Sequence, residues 1–187
     1  MSSLSDLVPI PPKDLMNIGL SAAQETTMLN LFGKPGELTK DCSDPNPGFK
    51  KKLLFDVNVG PFAVSGLNFA VESLKQLFLD IQKDLPEVFK EVKTAGVLCV
   101  RARRTNPTKF SNHSWGTAID LYFGKAVVPQ GTHLTHRGIF FLYSYFNKHG
   151  WYWGAEFSGD SVDSMHFELA EETIPKMPNQ KSQRKIK

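Results

Sequence analysis

The sequence predicts an α+β domain in which a small, mainly antiparallel sheet carries helices on one face. Apolar residues recur every three or four positions from Leu67 to Leu85, which is the pattern of an amphipathic helix. Two short segments, 117–123 and 165–169, instead alternate apolar and polar residues with the period of two typical of half-buried strands. The length of 187 residues suits a single domain with its own core.

The other elements follow in chain order. Residues 1–20 are rich in proline and serine, and we expect them to form a surface arm. Residues 21–33 predict a short helix, and residues 34–48 contain the glycine, proline, asparagine and aspartate residues of a loop. A strand is predicted at 53–59, and Pro86 is expected to end the long helix or to open a further turn.

In the second half, the β-branched segment 97–101 predicts a strand, and residues 135–148 predict an amphipathic helix. The last residues, 176–187, are basic and polar without a period. The predicted organisation is an arm at 1–20, a single domain at 21–175 and a basic tail at 176–187.

Composition and charge exclude several classes of protein. Charged residues make up 22% and hydrophobic residues 41% of the chain, which excludes global disorder. The net charge of +3 is too small to indicate a nucleic-acid partner. The longest apolar run, 138–143, is far shorter than the roughly 20 residues that span a bilayer. We therefore expect no membrane insertion and a monomer. Cys42 and Cys99 could pair in an oxidising compartment, but a disulfide-built scaffold would be smaller and richer in cysteine, so we expect both thiols to be free.

Polar side chains on the two alternating segments point to a site. Apolar residues at odd positions turn Asp120 of the first strand, and His166 and Glu168 of the second, away from the core. If these strands are neighbours, Asp120 and His166 share a cleft. His113 lies seven residues before Asp120, and Gly116 between them allows the bend that would bring the imidazole over the strand.

Two imidazoles and a carboxylate suit zinc, and three protein ligands leave a fourth position open. Spacing alone leaves another interpretation open. In it, His113 caps a turn, Asp120 forms a salt bridge and His166 makes a hydrogen bond within the sheet.

A family resemblance adds to this interpretation. The segment 111–120, SNHSWGTAID, resembles the S-x-H-x-x-G-x-A-x-D signature of the D-alanyl-D-alanine carboxypeptidase family of zinc peptidases, and every fixed position is met. Residues 163–166, DSMH, similarly meet the family's acid-x-x-His signature. Together with 153–157, WGAEF, they look most like the phage endolysin branch of L-alanyl-D-glutamate endopeptidases. The resemblance runs from about residue 97 to residue 169, and we identify none in residues 1–60.

The resemblance implies a hedgehog/DD-peptidase-like fold and one zinc ion bound by His113, Asp120 and His166. It also implies Asp163 as the catalytic acid–base. An arginine before the histidine motif would contact the substrate; Arg101 is the first candidate and Arg104 the second.

The implied function is hydrolysis of a peptide bond in peptidoglycan stem peptides, with an L-Ala-D-Glu endopeptidase favoured. A D-Ala-D-Ala carboxypeptidase and, in another class, a catalytically inactive zinc-containing binding module are the alternatives. Such a substrate lies in the cell wall, yet residues 1–14 do not resemble a secretory signal. We therefore expect delivery through phage lysis or a secretion apparatus.

Further residues complete the candidate site. Ser111 and Trp153 are expected to contact the substrate. Glu168 is expected either to orient a ligand imidazole or to form a salt bridge at the rim. Glu156 and Asp160 are alternatives to Asp163 as the acid–base.

Overall fold

A computed structural model describes residues 2–176 of the chain. The helices are α1 (Glu25–Phe32), α2 (Pro47–Lys50), α3 (Asn68–Asp84), α4 (Pro86–Glu91) and α5 (Arg137–Lys148). The strands are β1 (Leu7–Pro9), β2 (Leu53–Asn58), β3 (Ala63–Leu67), β4 (Lys93–Gly96), β5 (Ala102–Arg103), β6 (Asn106–Phe110), β7 (Ala118–Tyr122), β8 (Leu134–His136), β9 (Trp151–Trp153) and β10 (His166–Leu169). Within this part of the chain, no helix is both long enough and apolar enough to cross a membrane.

A four-stranded antiparallel sheet in the order β4–β7–β10–β9 forms the centre of the domain. Its apolar face packs against α5, where the Phe146 ring stacks on Phe167 with centroids 4.1 Å apart. Phe78 of α3 contacts Phe146 edge-on at 6.2 Å. Smaller antiparallel pairs, β1–β8, β2–β3 and β5–β6, surround this sheet. The predicted α+β class is confirmed.

The period-two prediction for the two site strands is also confirmed. Ile119 and Leu121 are fully buried on the face that packs against the helices. Asp120 lies between them and faces the other way, with 15% of its side chain exposed. The register of β7 and β10 pairs Asp120 with His166. The alternation therefore places both polar side chains on the face of the sheet opposite the helices.

The predicted helices form with shifted ends. The long amphipathic helix is α3, and Pro86 opens the separate helix α4. The first helix begins at Glu25 because the preceding residues bind the chain after β10; the Glu171 N–H donates to the Ser21 carbonyl. The fifth helix begins at Arg137, since residues 134–136 form β8 and pair with β1.

The strand predicted at 97–101 is wrong. The strand in this region is β4, which ends at Gly96, where φ is +127°. Residues 97–101 form a loop that is held by contacts of its backbone. The Val97 carbonyl accepts a hydrogen bond from His113, and Val100 forms an isolated bridge with Ser43. Its valines, Val97 and Val100, are buried because they pack into the hydrophobic core from this loop.

The expectation of free thiols is also wrong, because Cys42 and Cys99 form a disulfide. The bridge between Ser43 and Val100 brings the two segments together, so that the two cysteine Cα atoms lie 5.1 Å apart despite 57 residues of separation. The disulfide joins two loops, and sequence separation alone does not show that these loops approach each other closely enough to form it.

Residues 2–20 lie against the domain at several points. β1 pairs with β8. Asn17 is 4% exposed, and its side chain binds both the N–H and the carbonyl of Trp153, at 2.7 and 2.9 Å. The predicted basic tail starts at Lys176, and its residues 177–187 lie outside the described residues.

Candidate metal centre

The three predicted metal-binding side chains meet on the polar face of the sheet. The β7–β10 register supplies Asp120 and His166, and a 3-10 helix at 112–115 supplies His113. Gly116 ends that helix with φ at +64°. A Cβ at this position would lie 2.3 Å from the Cα of Gly66. The bend therefore requires glycine for both its conformation and its close packing.

The donor atoms of these residues are close enough together to hold a metal ion. His113 Nε2 is 3.2 Å from Asp120 Oδ1 and 3.2 Å from His166 Nδ1. His166 Nδ1 is 3.0 Å from Asp120 Oδ1. Both histidines are buried and Asp120 is partly exposed, so the group faces solvent on the Asp120 side.

Each imidazole is oriented by a partner at its other nitrogen. His113 Nδ1–H donates to the Val97 carbonyl at 2.8 Å, which turns Nε2 toward the group. His166 Nε2–H donates to Glu168 Oε2 at 2.9 Å, which turns Nδ1 toward the group. Partners of this kind fix the tautomer and the ring orientation of metal-binding histidines. Glu168 is 4% exposed and lies behind His166, so it does not form a salt bridge at the rim.

The charges of the group stabilise one another. Burial disfavours the Asp120 carboxylate, but the charge and hydrogen bond of His113, together with those of His166, outweigh it and hold the pKa of Asp120 well below its usual range. Burial disfavours the His166 imidazolium, yet hydrogen bonds with Asp120 and Glu168 raise the pKa of His166 to about 10. A proton and a metal ion therefore compete for His166 Nδ1.

Asp163 lies beside this group with an unusual environment for a carboxylate. It is 9% exposed, and among the described residues its Oδ1 has no hydrogen-bond partner. Burial raises the pKa of the Asp163 carboxyl, against the opposing charge of His166. Its own backbone N–H donates to the Gly154 carbonyl at 3.0 Å, which anchors the loop before β10.

A cleft of about 460 Å³ opens over the group. Asp163, Arg101, Arg104 and Ser111 line it, as does Glu156, whereas Asp160 is exposed outside it. The Ser111 N–H donates to the Arg101 carbonyl at 3.0 Å, so the first arginine is attached to the start of the histidine motif. The lining of the cleft therefore combines basic side chains, Arg101 and Arg104, with the acidic residue Asp163.

Trp153 does not contact the cleft, and its predicted role in substrate binding is wrong. Its indole is fully buried on the helix side of the sheet, where it stacks on Tyr143 with centroids 5.1 Å apart. Its Nε1–H donates to the Ser164 carbonyl at 2.9 Å. The alternation of β9 explains this position, because Trp151 and Trp153 both face the core.

Sequence reasoning missed four contributors to the site: Val97, Arg103, Asn112 and Tyr152. Val97 acts through its carbonyl, which no side-chain pattern can reveal. Tyr152 lines the cleft and pairs with Glu168 across the strands. Its exposure to the cleft could have been predicted, because it alternates with two core tryptophans.

Comparison with known proteins bears on this same part of the chain. Residues 104–169 match the sequence model of a family described as D-alanyl-D-alanine carboxypeptidase. The match spans 66 of the 187 residues and includes the three residues of the metal group together with Asp163 and Glu168. Neither the curated proteins nor the solved structures contain a match to this chain. The family match supports a peptidase.

Proposed function

We propose that the chain is a zinc-dependent peptidase that hydrolyses a peptide bond in the stem peptides of bacterial peptidoglycan. The observation that carries the proposal is the convergence of His113, Asp120 and His166 inside the segment that matches a peptidase family. Their donor atoms face one another, and both imidazoles are oriented from behind.

The donor set fits a zinc ion. Two imidazole nitrogens and one carboxylate oxygen match the ligand types of catalytic zinc sites, in which three protein ligands leave a position for water or substrate. Asp120 is the ligand on the open side, so that position would face the cleft. A bound zinc ion would act as a Lewis acid on the substrate carbonyl and lower the pKa of a water molecule.

Asp163 is suited to the acid–base role. Its Oδ1, which has no hydrogen-bond partner within residues 2–176, would accept a proton from the attacking water, and its raised pKa favours later delivery of that proton to the leaving amine. Glu156 is less suited, because its Oε2 already accepts a hydrogen bond from Asn17 Nδ2 at 2.7 Å.

Arg101 and Arg104 supply positive charge to the lining of the cleft. Arginine binds carboxylates and polarised carbonyls through several N–H donors in a fixed plane. We propose that Arg101 steadies the substrate during the reaction, and that Arg104 and Ser111 bind it at the margin of the cleft.

Two activities are candidates within this class. An L-Ala-D-Glu endopeptidase is favoured by the resemblance of residues 153–157 and of Asp163 to the endolysin branch. A D-Ala-D-Ala carboxypeptidase is favoured by the description of the matched family. Either substrate lies outside the cytoplasm, and the Cys42–Cys99 disulfide suits an oxidising environment there.

Mass spectrometry of fragments released from purified peptidoglycan tests the proposal. The wild-type chain with zinc should release fragments, and a chelator should stop the release. Loss of a single alanine would identify a carboxypeptidase, whereas separate glycan and stem-peptide pieces would identify an endopeptidase.

The substitution Asp163→Asn should lower the rate by about 10²–10⁴-fold, the usual contribution of an acid–base group, and should leave zinc bound. Asp160→Asn is the matched control, since Asp160 is exposed outside the cleft, and it should retain activity. An Asp163→Asn variant as active as wild type would contradict this role. A zinc-loaded chain that releases no fragments from walls of several chemotypes would instead indicate a binding module.

A further inference from the structure

The Glu168 carboxylate is held by donors from distant parts of the chain. Its Oε2 accepts hydrogen bonds from His166 Nε2 at 2.9 Å and from Asn112 Nδ2 at 2.7 Å. Its Oε1 accepts a hydrogen bond from the backbone N–H of Ala23 at 3.0 Å. The Glu168 side chain is 5% exposed. A buried carboxylate with three donors in fixed positions has little freedom to rotate.

Ala23 belongs to a segment, residues 17–27, that we call the N-terminal strap. The strap lies along the chain that leaves β10. The N–H groups of Ser21 and Gln24 donate to Glu172 at 2.8 Å and to Glu171 at 2.7 Å. Glu25 Oε1 accepts a hydrogen bond from the Phe110 N–H at 2.6 Å, just before the histidine motif. These bonds attach the strap to the chain that follows His166 and to the chain that precedes His113.

Asn112 joins the strap to the carboxylate. Its Nδ2 lies 2.7 Å from Glu168 Oε2 and 3.4 Å from the Ala23 carbonyl oxygen, so one amide group can bridge the two. Asn112 is 3% exposed and directly precedes His113. Its place in the fold therefore links both histidines of the group to the strap.

We propose that Asn112 and the strap are positioning elements of the metal site, which hold Glu168 so that it keeps His166 Nδ1 directed at the ion. The inference rests on the proposed metal binding. It extends the site beyond the matched segment 104–169, because Ala23 lies about 80 residues before that segment begins. Outer partners of a ligand histidine affect metal affinity by fixing its tautomer and orientation.

The zinc affinity of an Asn112→Ala variant tests the proposal. Loss of a direct outer partner typically weakens metal binding about 10–100-fold, and Asn112 acts one step further away, so we expect the zinc Kd to rise about 3–10-fold. The matched control is Asn46→Ala. Asn46 Nδ2 donates to the Lys34 carbonyl at 2.8 Å and its Oδ1 accepts a hydrogen bond from the Phe49 N–H at 2.8 Å, so this change removes the cap of α2 and leaves the strap and the partners of Glu168 in place.

Both variants should lower the Tm of the zinc-free chain, but only Asn112→Ala should raise the zinc Kd. An unchanged Kd in Asn112→Ala, or an equal rise in both variants, would overturn the positioning role. A wild-type chain that binds no zinc would overturn the proposed metal site itself, which separates the two failures.

Hydrogen exchange in the unmodified chain provides a test that does not depend on the folding of a variant. Because coupling is reciprocal, a strap that raises the affinity for zinc must in turn have its own hydrogen bonds stabilised when zinc binds. Zinc should slow exchange of the Ala23 amide more than that of the β1 amides, which lie in the same N-terminal part but do not contact the site. Equal exchange of the Ala23 amide with and without zinc, or equal slowing in β1, would overturn the role of the strap.

Discussion

The two histidines of the metal group are supported by different kinds of structure. His113 is held by a backbone carbonyl, that of Val97, from a loop that carries the Cys42–Cys99 disulfide. His166 is held by a side-chain carboxylate, that of Glu168, two residues further along its own strand. We call these the loop half and the strand half of the site. The two rings reach the same point with opposite nitrogens, Nε2 and Nδ1.

The two halves of the site should tolerate different changes in the chain. A backbone carbonyl is present whatever the side chain, so substitution of Val97 leaves the acceptor of the His113 Nδ1–H in place. Only movement of the loop can take this carbonyl away from His113. A carboxylate can be removed by a single substitution at Glu168. The loop half should therefore respond to changes in chain constraint, and the strand half to changes in one side chain.

Removal of the disulfide is the largest expected perturbation and acts on the loop half. A Cys42→Ser/Cys99→Ser variant should lose about 2–4 kcal/mol of unfolding free energy, because the disulfide closes a long loop in the unfolded chain. Zinc affinity should fall as well, because the loop that the disulfide holds also positions His113. In that loop the Cys99 N–H donates to the His113 carbonyl at 3.1 Å. Urea denaturation and a chelator competition measure the two effects. If the variant kept the wild-type unfolding free energy and the wild-type zinc affinity, the disulfide would have no role in holding the loop half.

The substitution Glu168→Gln acts on the strand half. Every hydrogen bond to the Glu168 carboxylate comes from a donor, His166, Asn112 or the Ala23 amide, and the glutamine NH₂ group would face one of these donors. Zinc affinity should fall about 10–100-fold, the usual cost of losing such a partner. The exposed residue Glu87 pairs with Lys90 on α4 and does not line the cleft, so Glu87→Gln is the control. A Glu168→Gln variant with wild-type affinity would remove the distinction between the halves.

The pH dependence of zinc binding sharpens the comparison further. The raised pKa of His166, about 10, means that the metal-free chain carries a proton there at neutral pH, and zinc must displace it. Affinity should rise about tenfold per pH unit between pH 7 and 9, through release of one proton. The folding stability of the metal-free chain changes with pH in the opposite direction to zinc affinity. The stabilisation from a protonated His166 is complete below pH 6.5 and is lost as the pH rises through about 10. Calorimetry in buffers of different ionisation enthalpy measures the released protons, and none released would contradict this account.

The strand half could be predicted from the sequence, and most of the loop half could not. Alternation placed Asp120, His166 and Glu168 on one face because a strand has a fixed period and a buried side. The partners of the loop half are a carbonyl and a disulfide whose meeting depends on how two loops fold together. Trp153 is a different case, because its alternation with Tyr152 already favours the core over the cleft.

Zinc K-edge X-ray absorption on the stoichiometrically loaded chain tests the central claim most directly. The account predicts one zinc per chain with two imidazole nitrogens at about 2.0–2.1 Å and further oxygen ligands, without sulfur. Loss of one imidazole signal in His113→Ala, and likewise in His166→Ala, should accompany weaker binding. A wild-type chain that binds no zinc, or a spectrum without imidazole, would contradict the assignment of these residues as the metal site.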